Sequence, residues 1–420
     1  MASLRHSRLV RQNLVLFVGG LIAGFGGFVY HAVAGRVLGP QLYGEVATLV
    51  ALFTVGSTAY LILMLVLARY AARLQTEGRQ GAVKHIVLRT NRLLAVPAIL
   101  FCLLTASVSR PLADFLNLGS PWPLVWLGIG IAGYWYLAVP RGVLQGTQRF
   151  VDFSANLSLE MVARTGLLGV FLLLGFGVTG AVLAILSGEL ISYLLGLGSM
   201  RDLLAGHREV VQMRTQVGFA ATATVGTLGV ILLYNLDVVL AKHFLDPHGA
   251  GIYGGLNKIG FILYALTLSV SQVLFPRVVE ALASGRHPGL LLLLSGALIS
   301  VIGLCALAAF GVAPGLVVRV LFGPSFRDAQ PLVLLMGVWG LALSLGNLLI
   351  QFLMAVRDRA FVPILAGACV LQPLLITVFH GSVRQVVLDV LVTVILLLAT
   401  LLVRAALLMR TLAPEMVIEA

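Results

Sequence analysis

From about residue 13 onward the chain alternates between apolar runs of roughly 20 residues and short polar connections. Each run is long enough to carry an α-helix across ~30 Å of hydrocarbon at 1.5 Å per residue. The pattern predicts about twelve spans, near 13–35, 42–69, 86–109, 121–145, 155–176, 178–200, 216–244, 252–276, 289–312, 330–355, 360–380 and 384–410. The alternating stretches of ~10 residues that mark a membrane β-barrel are missing from the sequence. The predicted fold class is therefore an all-α polytopic membrane protein, with no connection long enough to make a soluble domain.

Composition agrees with the pattern. Of 420 residues, 60% are hydrophobic and 10% charged, against ~25% charged in an average soluble domain. The net charge of +12 would point to nucleic acid in a soluble protein. Here it collects in alternate connections, as the excess of Lys and Arg in cytoplasmic loops requires. Arg73, Arg79, Lys84, Arg89, Arg149, Arg201, Arg208, Arg214, Arg277, Arg286, Arg357 and Arg359 fall on one side, with Arg36, Arg110, Lys242, Arg319, Arg327 and Arg384 on the other. That asymmetry predicts both termini in the cytoplasm and excludes a nucleic-acid partner. Arginine far outnumbers lysine, a usage in keeping with a GC-rich bacterial gene and hence a bacterial cytoplasmic (inner) membrane. Basic residues before the first apolar run and "AVAG" after it resemble a signal peptide. The repeat described next predicts that this segment is kept as the first helix. Cys102, Cys305 and Cys369 lie far apart inside apolar runs and read as small apolar fillers.

The two halves of the chain repeat each other. "AGRVLGPQLYG" (Ala34–Gly44) answers "AKHFLDPHGAGIYG" (Ala241–Gly254), and "LQTEGR" answers "EALASGR". Cys102 and Pro111 match Cys305 and Pro314, and "LQGTQRF" (Leu144–Phe150) answers "LMAVRDRAF" (Leu353–Phe361). All matches lie about half a chain apart, which divides the spans into two six-helix lobes, 1–205 and 206–420. Six being even, both lobes start on the same side, the parallel arrangement of secondary transporters with a path between the lobes. Tyr43 and Tyr253, each before a glycine, are expected to anchor the chain at the membrane interface. Glycine pairs such as Gly20 with Gly24 and Gly226 with Gly229 are expected to let helices approach closely.

Three stretches carry a family resemblance. "NLDVVLAKHFLDPHGAGIYGGLNKIG…VLFPRVVEALASGR" resembles the seventh and eighth helices of polysaccharide-export proteins. "GRVLGPQLYGEVATLVALFTVGSTAYLILMLVLARYAARL" is similar to their first loop and second helix, and "GVLQGTQRFVDFSANLSLEMVARTGLL" to their turn from the fourth helix to the fifth. These are the oligosaccharide-lipid flippases of the multidrug/oligosaccharidyl-lipid/polysaccharide transporter superfamily. The resemblance implies a twelve-helix, two-lobe fold around a cavity that opens alternately to either side. It also implies a polyprenyl-diphosphate-linked glycan as cargo, with membrane lipids and other glycan-assembly proteins as partners.

Charges inside the apolar runs are the candidate site, because an unpaired charge in hydrocarbon costs several kcal/mol. Asp237 and Lys258 fall at a similar depth on consecutive antiparallel spans and can pair, as a structural tie, as a cavity-lining pair that meets the cargo's charge, or with Asp237 titrating with a coupling ion. Glu160 and Arg164, four residues apart, share one helix face, and Glu189 lies at a depth where it can compete for Arg164. Arg164 is a candidate diphosphate contact, since a guanidinium can donate two parallel hydrogen bonds to phosphate oxygens. Arg36 and Arg141 are expected at the cavity rim, and Asn235 and Gln351 could hydrogen-bond sugar hydroxyls.

Nothing in the chain points to an enzyme or to a bound cofactor: no Gly-rich phosphate loop and no His/Cys cluster at metal-ligand spacing. Two rival readings remain open. An ion-coupled small-molecule exporter of the same superfamily would want a compact acidic pocket. A membrane glycan polymerase or ligase would want a sizeable outer loop bearing catalytic groups, whereas Asp114, Asp246 and Asp328 are the main carboxylates expected outside.

Overall fold

The computed structural model describes residues 2–205, 209–210 and 218–415, and among them it contains helices and no strand. The first half forms α1 (Ala2–Gly56), α2 (Ala59–Thr76), α3 (Gln80–Phe115), α4 (Trp122–Gly146), α5 (Phe150–Leu173), α6 (Gly177–Gly198) and the short α7 (Arg201–Ala205). The second half forms α8 (Gly218–Leu233), α9 (Leu236–Phe244), α10 (Pro247–Ala283), α11 (Gly289–Val312), α12 (Pro314–Leu321), a 3-10 turn (Pro324–Leu332), α13 (Val333–Ala355), α14 (Phe361–Val378) and α15 (Val383–Glu415). In hydrocarbon every backbone donor and acceptor must be satisfied within the protein, which leaves the helix as the economical choice.

Eleven helical stretches among the described residues are long and apolar enough to cross a membrane. The first, Val18–Thr76, has 59 residues, nearly three times the ~20 that one crossing needs. It absorbs the first two predicted spans, divided at Gly39, whose φ of 69° breaks the helix just before Pro40. The second predicted span, 42–69, is itself interrupted: α1 ends at Gly56, and Ser57 and Thr58 form a turn before α2. Trp135 on α4 donates its indole N–H to the Gly56 carbonyl freed by that turn, at 3.2 Å. The predicted lobe boundary at 205/206 and the charges of Arg208 and Arg214 meet residues 206–208 and 211–217, which lie outside the described residues.

The sequence repeat is also a repeat of helix endings. After α2, Gly78 takes φ 68° and the Arg79 N–H bonds the Leu74 carbonyl; after α10, Gly285 takes φ 65° and the Arg286 N–H bonds Ala281. After α4, Gln148 takes φ 58° with Arg149 N–H on Leu144; after α13, Arg357 takes φ 59° with Asp358 N–H on Leu353. A left-handed residue closing a six-residue bond is the Schellman ending. "EGR" and "SGR" use glycine for it, whereas Gln148 and Arg357 hold the same conformation with a side chain.

The chain divides into two compact units, Met1–Leu38 with Leu52–Ala220, and Gly39–Ala51 with Ala221–Ala420. In the first, α2, α3 and α4 close around Leu67, Ala71, Leu74, Ile86, Val87, Val143, Leu144 and Met200. In the second, α10 and α13 lie so close at Gly260 and Gly340 that a Cβ at Gly340 would stand 2.3 Å from the Gly260 carbonyl oxygen. Gly340→Leu therefore has to push backbone from backbone. We expect it to lower the melting temperature in detergent, at a cost of about 1–3 kcal/mol, read by fluorescence-detected thermal unfolding.

A short piece of α1 belongs to the second unit. From Pro40 to Ala51 it packs on α10, with the Pro40 carbonyl where a Cβ on Gly251 would be and the Ala47 methyl against Gly254. The Tyr43 ring lies 5.3 Å from Phe322 and 5.6 Å from Phe326. Tyr43 and Tyr253 are both fully buried, so neither is the interfacial anchor expected from its sequence position. The outward faces are apolar instead: Leu93, Val96, Ile99 and Leu103 on α3 and Leu293, Val301 and Leu304 on α11 are more than half exposed, as lipid-facing residues should be. Of the two glycine pairs, Gly226 and Gly229 pack against Met354 and Leu365, but Gly20 and Gly24 face open space.

Where α13 turns into α14, Asp358 accepts from the Arg404 Nε at 2.7 Å and from the Ala360 N–H at 2.8 Å. Burial alone would raise its carboxyl, but these bonds outweigh it and hold the group below the usual carboxylate range. A depressed carboxyl adds stability above its unfolded value, near 3.9, and loses it as pH falls through the lower folded value. The expected result is an acid-side loss of thermal stability below about pH 4 that is smaller in Asp358→Asn.

Candidate functional site

The first unit buries a charged cluster at the centre of α4, α5 and α6. Arg141, expected at a rim, is fully buried. Its Nε donates to Asn156 Oδ1 at 2.8 Å and its Nη2 to Glu160 Oε2 at 2.5 Å, with longer contacts to Tyr60 and Ser192. Pro140, one residue before it, lies against Gly196 of α6, which brings the two helices close enough for that reach. The other oxygen of Glu160 accepts from Arg164 Nη2 at 2.6 Å, so the i,i+4 pair read from sequence is present. One carboxylate thus bridges two guanidinium groups.

Glu189 stands 3.7 Å from Arg164, as the competition read from sequence required, yet neither of its oxygens has a hydrogen-bond partner. The Arg164 Nε also lacks an acceptor, and its guanidinium sits 5.5 Å from the Phe53 ring centre. Arg141 is therefore consumed by the fold, whereas Arg164 keeps donor capacity. Arg36 lies exposed on α1.

The second unit builds its cluster around a broken helix. Between α8 and α9 the chain turns at Tyr234 and Asn235, which frees backbone carbonyls in the middle of a span. Three side-chain amides take them up: Asn235 bonds Ile231 at 2.8 Å, Gln372 of α14 bonds Leu233 at 2.9 Å, and Asn257 of α10 bonds Tyr234 at 3.2 Å. Broken helices survive in a membrane only with such substitutes.

Asp237 does not pair with Lys258. Its Oδ2 accepts from the Tyr253 hydroxyl at 2.5 Å and from Asn257 Nδ2 at 2.9 Å, leaving Lys258 as a longer-range electrostatic neighbour. Two neutral donors hold one oxygen of the carboxylate at short range without the desolvation of a second ion. The Lys258 ammonium lies 5.7 Å from the Phe261 ring centre, and Phe261, Tyr234 and Tyr264 form an aromatic triad with centres 4.9–5.8 Å apart. Four oxygens around the break, Asn235 Oδ1, Asp237 Oδ1, Asn257 Oδ1 and Gln372 Oε1, are buried with no donor. An all-oxygen set of this kind suits water or a hard cation.

Gln351 on α13 is half-buried. Lys242, placed outside by its charge pattern, is buried in α9, where the Glu45 carboxylate acts on it electrostatically. The sequence pattern did not single out Asn156, Asn257 or Asp389, a buried carboxylate on α15 with one oxygen unpartnered, and it marked Tyr253 only as an interfacial anchor. For Asn156 the signal was available, since it shares a helix face with Glu160 four residues on. Among the described residues no group of three His, Cys, Asp or Glu side chains is placed to hold a metal ion.

Family comparison bears on what these clusters serve. The polysaccharide biosynthesis protein family matches residues 9–282. The chain belongs to that family. An uncharacterized protein of Mycobacterium tuberculosis and its counterpart in Mycobacterium bovis are 24% identical to this member over 217 residues, 49% of this chain. The chain spans about half the length of these curated relatives, 48%. Among solved structures, an inward-facing multidrug resistance MATE family transporter of the MOP superfamily matches 95% of this chain and 98% of its own at TM-score 0.76 and 13% identity. The lipid II flippase MurJ, in an inward closed conformation, matches 94% of this chain and 87% of its own at TM-score 0.67 and 11% identity. At such identities the likeness establishes the fold alone: this polysaccharide biosynthesis protein is a multi-pass membrane protein with the fold of those two structures.

Proposed function

We propose that the protein moves a polyprenyl-diphosphate-linked oligosaccharide across a bacterial cytoplasmic membrane by alternating access, with both termini in the cytoplasm and lobes meeting near residue 205. The observation that carries the reading is a buried cation with unused donor capacity in each unit. Arg164 keeps a free donor beside Glu160, and Lys258 stands clear of Asp237. Buried cations with donors to spare are suited to a mobile anion such as a diphosphate. The aromatic triad beside Lys258 offers flat apolar faces to sugar rings, and Asn235 and Gln351 remain candidate contacts for hydroxyls. Arg36 serves as a surface cation in this scheme, and Arg141 and Glu189 shape the pocket that presents Arg164.

Depletion in the native host tests it. Mass spectrometry of membrane lipids is expected to show a polyprenyl-diphosphate oligosaccharide of fixed size accumulating as surface polymer falls. Unpolymerised repeat units on the outer surface would instead assign the protein to polymerisation.

The unpartnered oxygens at the α8–α9 break favour one second reading, an ion-coupled exporter of small molecules. In proteoliposomes that reading requires export of cationic dyes driven by a sodium or proton gradient, with no effect of depletion on lipid-linked sugars.

A further inference from the structure

A cleft of about 220 Å³ opens between α14 and α15, both in the second unit. Pro363, Ile364, Gly367 and Leu371 line one wall, and Thr393, Leu396 and Thr400 face them. The two threonines do not make it polar. Thr393 donates its hydroxyl to the Asp389 carbonyl and Thr400 to Leu396 and Leu397, so both turn spent hydroxyls to their own helix. From Pro363 to Leu371 the cleft follows α14 for about 12 Å, most of one leaflet.

One end of the cleft is cationic. Arg359 lies in the turn that leads into α14, four residues before Pro363, and Arg404 follows Thr400 by one helical turn on α15, so both walls end close in sequence to an arginine. Arg357 and Arg410 add exposed charge at that end, and Asp358 holds Arg404 at 2.7 Å. An apolar slot of chain length that ends in surplus arginine matches the chemistry of a lipid with a negative headgroup.

We propose that this cleft is a binding site for an anionic glycerophospholipid, with one acyl chain between α14 and α15 and the headgroup phosphate at Arg359 and Arg404. The site is independent of the cargo assigned above; only its leaflet, the cytoplasmic one, rests on that orientation.

Native mass spectrometry of the full chain, titrated with phosphatidylglycerol, phosphatidylcholine or a polyprenyl phosphate, tests it. Phosphatidylglycerol is expected to be retained about tenfold more tightly than phosphatidylcholine. Gly367→Leu should abolish that retention without disturbing the fold, because a Cβ at Gly367 meets nothing within 4 Å. Arg359→Gln, an exposed change, should bring the two phospholipids level. Equal retention of both phospholipids by the unaltered chain, or retention unchanged in both variants, would overturn the site. Preference for the polyprenyl phosphate would overturn the phospholipid and assign the cleft to the carrier chain.

Discussion

Glu160→Gln is expected to be the most damaging single substitution in the protein. Glu160 alone bridges Arg141 and Arg164, and Arg141 is fully buried. Removing the charge leaves two guanidinium groups to share Glu189, which stands 3.7 Å from one of them. Breaking a buried pair from one side costs about 3–5 kcal/mol, because the remaining charge stays desolvated. The variant should fail to accumulate as a monodisperse species in detergent, or should unfold at a much lower temperature. Replacing Arg141 and Glu160 together by apolar residues of similar volume should recover much of the loss, since removing both partners removes the stranded charge. A single substitution that left the melting temperature unchanged would show that the bridge does not hold α4 to α5.

Lys258→Met is expected to behave in the opposite way. The ammonium makes no short ion pair with Asp237, whose Oδ2 is satisfied by Tyr253 and Asn257, so the fold does not depend on it. Thermal stability should stay within about 1 kcal/mol of the parent or rise slightly, because an apolar chain of the same length is cheaper to bury. Transport should suffer heavily. A hydrogen bond to a charged group contributes about 1.5–3 kcal/mol, which corresponds to roughly a ten- to hundredfold loss of flux. Complementation of surface polysaccharide in a depleted host measures the flux, and thermal unfolding of the same variant measures the fold. Normal complementation would remove Lys258 from the cargo path.

These two substitutions also mark how far the sequence could be read. The pairing of Glu160 with Arg164 was legible, because i,i+4 spacing on a helix fixes which side chains meet. Asp237 with Lys258 was not. Depth along two neighbouring helices sets the height of a residue but not the direction in which it points, and Tyr253 and Asn257 reach the carboxylate first. Arg141 illustrates the same limit. Its position near the end of a predicted span suggested a rim, yet α5 and α6 pack over it and supply Asn156, Glu160 and Ser192.

By itself the sequence determined that this is a helical membrane protein built from a repeat, because a bilayer fixes the length of an apolar run and the local chemistry of "EGR" and "SGR" fixes where a helix must end. The tertiary structure decided the rest. It placed Pro40–Ala51 in the second unit, broke the seventh span at Asn235 and covered the break with amides from α10 and α14. It also chose which buried charges are fully hydrogen-bonded and which keep unpartnered atoms. Those outcomes depend on which helix faces which, and in a chain where nearly every face is apolar the pattern along the sequence does not encode that choice.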